Sequence, residues 1–85
     1  MENVDKDVVL FNWKFVGNGH QGHFSGRVRK DHTTLQECIA ICTKKRQDSG
    51  AAWNGLWWYV PDGQCICNEN ETGHTENSDF VHFKV

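Results

Sequence analysis

Apolar and polar positions alternate from residue 9 to residue 16, with Val9, Phe11, Trp13 and Phe15 forming one set and Leu10, Asn12, Lys14 and Val16 the other. A period of two predicts a strand. The glycine-rich segment Gly17-Asn18-Gly19-His20-Gln21-Gly22-His23 reads as a loop, followed by a short strand around Phe24 to Val28. The period then changes. Thr34 and Glu37 have the spacing of a capping box, and Leu35, Cys38, Ile39 and Cys42 recur at i, i+3, i+4 and i+7, which predicts a helix from about 35 to 46 that Gly50 stops. An aromatic strand ending Leu56-Trp57-Trp58-Tyr59-Val60 runs into Pro61-Asp62-Gly63-Gln64 and then Cys65-Ile66-Cys67. Proline presets φ and glycine accepts a positive φ, so this is a hairpin. Phe80 to Val85 alternate again as a closing strand, and the polar stretch 68–79 reads as a loop.

With Pro61–Gln64 as the hairpin loop, Val60 faces Cys65, Tyr59 faces Ile66 and Trp58 faces Cys67. Leu56, Trp58 and Val60 then share a face with both cysteines, and Trp57, Tyr59 and Ile66 take the other, an assignment that a one-residue bulge would reverse.

The four cysteines fall in two pairs of matched pitch. Four helical residues advance roughly 6 Å and two strand residues about 6.6 Å, so a helix lying along the strand can set each cysteine of one pair opposite one of the other. Within a pair the Cβ atoms stand about 6 Å apart, against the roughly 4 Å of a disulfide. Both pairings that join helix to strand stay open on these grounds.

Composition adds the compartment. In a chain of 85 residues the apolar surface available for burial is limited, and an even cysteine count in so short a chain points to an oxidising, secreted or extracellular setting. The opening MENVDKDVVL is acidic where a signal peptide is basic, so the chain is expected to be a mature or excised module: a tail at 1–8, then one domain at 9–85. No run reaches the roughly 18 apolar residues of a membrane span, and no membrane insertion is expected. A net charge of −2 argues against a nucleic-acid partner. Lys44, Lys45 and Arg46 are well placed as cations at a helix C-terminus. Arg27, Arg29 and Lys30, with His23 or His32 nearby, form a basic cluster suited to a sulfated glycan or an acidic partner.

Thr34-Leu35-Gln36-Glu37-Cys38-Ile39-Ala40-Ile41-Cys42, then an aromatic strand, then a turn into Gln64-Cys65-Ile66-Cys67, resembles a PAN/apple module. The resemblance covers about residues 9 to 85, with its specific part at 34–67. It implies an α+β fold in which a single helix packs on a small antiparallel sheet and is stapled to it by disulfides. One departure is that the family's third cysteine, expected near Asn54 or Gly55, is missing. By analogy with the family's nested pattern, the resemblance implies Cys38–Cys67 and Cys42–Cys65. It also implies a non-catalytic adhesion or recognition module of a larger secreted protein, without a cofactor, whose ligand is a protein or glycan on a cell surface or in the extracellular matrix.

Trp57 and Tyr59, on the face away from the helix, are candidates for an aromatic contact platform, the alternative being that they are core beneath a loop. Lys14, and His82 or Lys84, join them if the terminal strands pair. Asn70-Glu71-Thr72 is an N-glycosylation sequon with Asn70 as acceptor. Other readings are weaker. A structural zinc site with four cysteine ligands would need C-x3-C and C-x-C, where C-x2-C predominates. The pair His20-x-x-His23 lies in a glycine loop with no carboxylate at a helical offset, and no nucleophile elbow or paired-carboxylate pattern is present, so neither a metal site nor an enzyme is expected. A secreted inhibitor or effector would present 17–23 or 68–79 as a rigid loop.

Overall fold

The computed structural model describes residues 13–85, so the tail expected at 1–8 and the first part of the opening strand, 9–12, lie outside the described residues. Eight elements follow in order: β1 (Lys14–Gly17), β2 (Gly19–His20), β3 (Gly26–Lys30), α1 (Leu35–Ser49), β4 (Trp53–Tyr59), β5 (Gln64–Glu69), β6 (Thr75–Glu76) and β7 (Phe80–Lys84). Five of the strands make one antiparallel sheet in the order β1-β7-β4-β5-β3, and β2 and β6 make a separate two-stranded ribbon. One helix on a small antiparallel sheet, joined by two disulfides, is the α+β arrangement expected.

The helix begins as its sequence dictates. Glu37 N–H donates to Thr34 Oγ1 at 3.0 Å and Thr34 N–H donates to Glu37 Oε1 at 2.8 Å, completing the capping box. It runs three residues past the expected end at 46, to Ser49, and closes at Gly50, whose φ of 112° suits only glycine and whose N–H reaches Arg46 O at 2.9 Å.

Leu35, Cys38, Ile39, Ile41 and Cys42 from α1 meet Leu56, Trp58, Cys65, Cys67, Val28 and Phe83 from the sheet, with Trp13 and Trp53 at the margin. This is the hydrophobic core. The hairpin loop is Val60–Gly63, so Tyr59 pairs with Gln64, Trp58 with Cys65 and Leu56 with Cys67. That register differs by two from the expected one, and an even shift leaves every side chain on its expected face; only Val60 leaves the sheet, for the exposed turn. Gly63 sets this turn. Its φ is 72°, and a Cβ there would stand 2.4 Å from Thr33 O, because the turn docks on the residue before the helix cap.

The disulfides join Cys38 to Cys65 and Cys42 to Cys67. This corrects the nested order, Cys38–Cys67 and Cys42–Cys65, that the resemblance implied. The reason is chain direction: the connection at 50–52 reverses the chain between α1 and β4, and the turn at 60–63 reverses it again. Strand β5 therefore runs with the helix, and the first cysteine of one pair meets the first of the other.

The loops expected at 17–23 and 68–79 are also corrected. Gly19–His20 pairs with Thr75–Glu76, and His23 bridges to Thr72. Together the two segments form a ribbon against the side of the sheet that α1 leaves open.

Candidate functional site

Cross-strand register lays out the face turned away from α1. One line crosses the sheet as Arg27, Asn68, Gly55, Lys84 and Lys14, a second as Arg29, Ile66, Trp57 and His82, and a third as Gln64, Tyr59 and Phe80. Lys14, His82 and Lys84 thus share the face of Trp57 and Tyr59, as the pairing of the terminal strands required. Lys30 does not. It pairs with Cys65 and stands on the helix side.

The aromatic residues are part of a cluster rather than an open platform. The Trp57 ring lies edge-on to Phe80 at 4.7 Å and tilted to His20 at 5.7 Å, and Tyr59 lies 4.9 Å from Phe80. All four are half-buried, because the ribbon carries His20 onto them. Trp57 and Tyr59 lie on the face expected, and the cover over them is the ribbon, which nothing local in a glycine-rich segment could have identified.

The cationic residues remain in solvent. Arg27, Arg29 and Lys30 are exposed on β3, which among the described residues is an edge strand, paired with β5 alone. Arg27 sits 5.9 Å from the centre of the Phe24 ring, and Arg29 Nε is 3.4 Å from Asp31 Oδ1, an exposed pair that contributes little. His23 and His32 are exposed near the two ends of this strand.

Under the ribbon lies a buried polar chain that the sequence did not reveal. Glu71 and His82 are 1% and 0% exposed, and His82 Nε2 is hydrogen-bonded to Glu71 Oε1. His82 Nδ1 lies 2.8 Å from His74 Nδ1, the two rings stacked within 2° of parallel. Lys84 Nζ is 3.2 Å from Glu71 Oε2, an ion pair without hydrogen-bond alignment. The side chain of Asn54 brackets Glu71, accepting from its N–H at 2.8 Å and donating to its carbonyl at 3.3 Å.

The chemistry of the partners fixes the protons. A carboxylate only accepts, so His82 Nε2 carries a hydrogen and donates it. Neutral His82 then has its lone pair at Nδ1, and His74 Nδ1–H donates to it. Burial pushes the His82 pKa below the ordinary 6.5, outweighing Glu71, which raises it, while His74 and Lys84 add to the lowering. The alternation of Phe80, His82 and Lys84 was the available signal for His82; for Glu71, inside a polar stretch, there was none.

Two buried polar groups near this chain, the Asn68 amide and the Trp57 indole N–H, have no hydrogen-bond partner among the described residues. Asn70, the sequon acceptor, is exposed at the tip of a turn with φ 53°, and its amide donates to Ser25 Oγ at 2.9 Å.

The sulfurs of Cys38, Cys42 and Cys65 lie within 4.8 Å of one another, close enough to share an ion. All four cysteines are bonded in disulfides, however, so the thiolates that a four-cysteine zinc site needs are not available. Among the described residues no helix is long and apolar enough to cross a membrane.

No family model, no curated protein and no solved structure matches this chain. Fold and site define a disulfide-stabilised α+β domain with one helix on an antiparallel sheet.

Proposed function

We propose that the chain is an extracellular, apple-like recognition module that binds an anionic glycan, of the sulfated kind found on cell surfaces and in matrix, without catalysis. The observation that carries this reading is the edge strand β3, which holds Arg27 and Arg29 exposed on the same sheet face as Tyr59 and Trp57. Arg29 and Trp57 flank Ile66 on adjacent strands, so cation and aromatic ring stand roughly 10 Å apart, a span that suits a disaccharide. Guanidinium groups bind sulfate bidentately, and the part of the Trp57 ring that His20 and Phe80 leave uncovered offers a sugar an apolar contact. Two disulfides hold the sheet and keep this surface in shape, and they support the secreted setting.

A glycan array probed with the oxidised domain tests the proposal. Sulfated members are expected to be retained, with binding that weakens as salt rises, and Arg27→Ala with Arg29→Ala should abolish it. Lys30→Ala, on the opposite face, should leave most of it. Absence of any sulfated hit, or binding indifferent to the two arginines, would overturn the reading.

A further inference from the structure

Three histidines meet where the ribbon lies on the sheet: His20 and His74 from the ribbon side, and His82 from β7. Among the described residues Asn18 Nδ2 also donates to Phe80 O at a long 3.4 Å, and Glu71, at the foot of the ribbon, is tied to His82, Lys84 and Asn54. Beyond that foot, the imidazoles of His20 and His74 carry the ribbon's contact with the sheet face.

Both ring nitrogens of His82 are engaged. Its Nε2–H is donated to Glu71, and its one lone pair, at Nδ1, accepts the His74 N–H at 2.8 Å. One proton added to the pair breaks nothing, because the hydrogen between the two Nδ1 atoms serves whichever ring carries the charge. A second makes both Nδ1 atoms donors and sets two cations side by side. His74 must then move, and with it the stretch 73–76 that carries β6, while Glu71 keeps its hold on His82.

We propose that the β2–β6 ribbon is an acid-released cover, which opens when His74 and His82 both carry an added proton and uncovers Trp57, Tyr59 and Phe80 on the sheet face beneath. This rests on the recognition reading in one respect: the uncovered rings are part of the face assigned there to the ligand, so the proposal concerns the regulation of that site.

Every charged group around His82 enters the balance. Glu71 favours the proton, whereas His74 and Lys84 oppose it, and burial opposes it most. Farther out, Lys14 stands across from Lys84 on β1, and Glu76 is exposed on the ribbon. His20 Nδ1 lies 3.0 Å from Gln21 O, and its ring packs on Trp57 and Phe80. With the folded pKa lowered, the open form binds the proton more readily. The closed form is therefore favoured above 6.5 and is lost as pH falls from there through the lowered folded value.

Acrylamide quenching of tryptophan, followed between about pH 7.5 and about pH 5 beside far-UV circular dichroism, tests the proposal without any ligand. Quenching is expected to rise by a factor of about two, with a midpoint below that of a free imidazole and the dichroism unchanged. Trp57→Phe should remove the pH-dependent part. His82→Gln, which keeps a donor toward Glu71 and an acceptor toward His74, should hold the cover closed across the range. Should that variant fail to fold, His74→Ala is expected to raise quenching already at neutral pH. Quenching that ignores pH, persists after Trp57→Phe, or rises only as the dichroism collapses would overturn the proposal. A blank glycan array would leave this result standing, so the two readings fail separately.

Discussion

Gly55 and Glu71 show how one small residue admits one buried charge. A Cβ on Gly55 would stand 2.6 Å from Glu71 Cγ and 2.7 Å from its Cβ, atoms near the backbone that have little freedom to give way. Gly55→Ala is therefore expected to lower stability by about 2 kcal/mol through overpacking and displacement of the carboxylate from His82 and Lys84. Urea unfolding of the oxidised protein checks this, and a change below about 0.5 kcal/mol would mean that Glu71 is not held over Gly55. From sequence, Gly55 is an ordinary weak point in a strand. Its role depends on residue 71, which lies beyond the next strand and whose own neighbours in the chain are polar and uninformative.

Among elements, α1 was the most legible, because a capping box and an apolar stripe are both local signals. Thr34→Ala removes the side-chain acceptor for Glu37 N–H and should cost about 1 kcal/mol. A fall in the thermal midpoint with unchanged disulfides would register it, whereas Thr34→Ser should restore most of it. The hairpin was legible for a different reason: the turn residues announced the reversal, and the shift in register by an even number preserved the faces. The short strands β2 and β6 left no such trace. Two residues each are too few to display a period, and their pairing is decided by where the ribbon docks.

At the scale of the whole molecule the disulfides decide how much of the small core survives. In the chain-entropy model, a bond closing a loop of this length contributes about 3 kcal/mol. Cys38→Ser with Cys65→Ser removes one bond and leaves Cys42–Cys67 closing almost the same loop, so it should lower stability by less than that amount, about 2 kcal/mol, and yield a folded, oxidised monomer. Cys38→Ser with Cys67→Ser breaks both bonds and strands Cys42 and Cys65 with sulfurs 3.9 Å apart, and it should be the less stable of the two. Equal stability of the two variants in matched urea titrations would contradict the pairing described here.

Residue order alone determined that a capped helix precedes an aromatic hairpin, that two cysteine pairs of equal pitch can be bridged between them, and which side chains share each face of the hairpin. These follow from periods and turns, which act over a few residues. Tertiary structure decided the order of the bridges, the cover over Trp57 and Tyr59, and the buried line from Lys84 through Glu71 and His82 to His74. Each of these arises from the direction in which the chain returns and from what it then brings together, and such contacts between distant segments leave no period in the sequence.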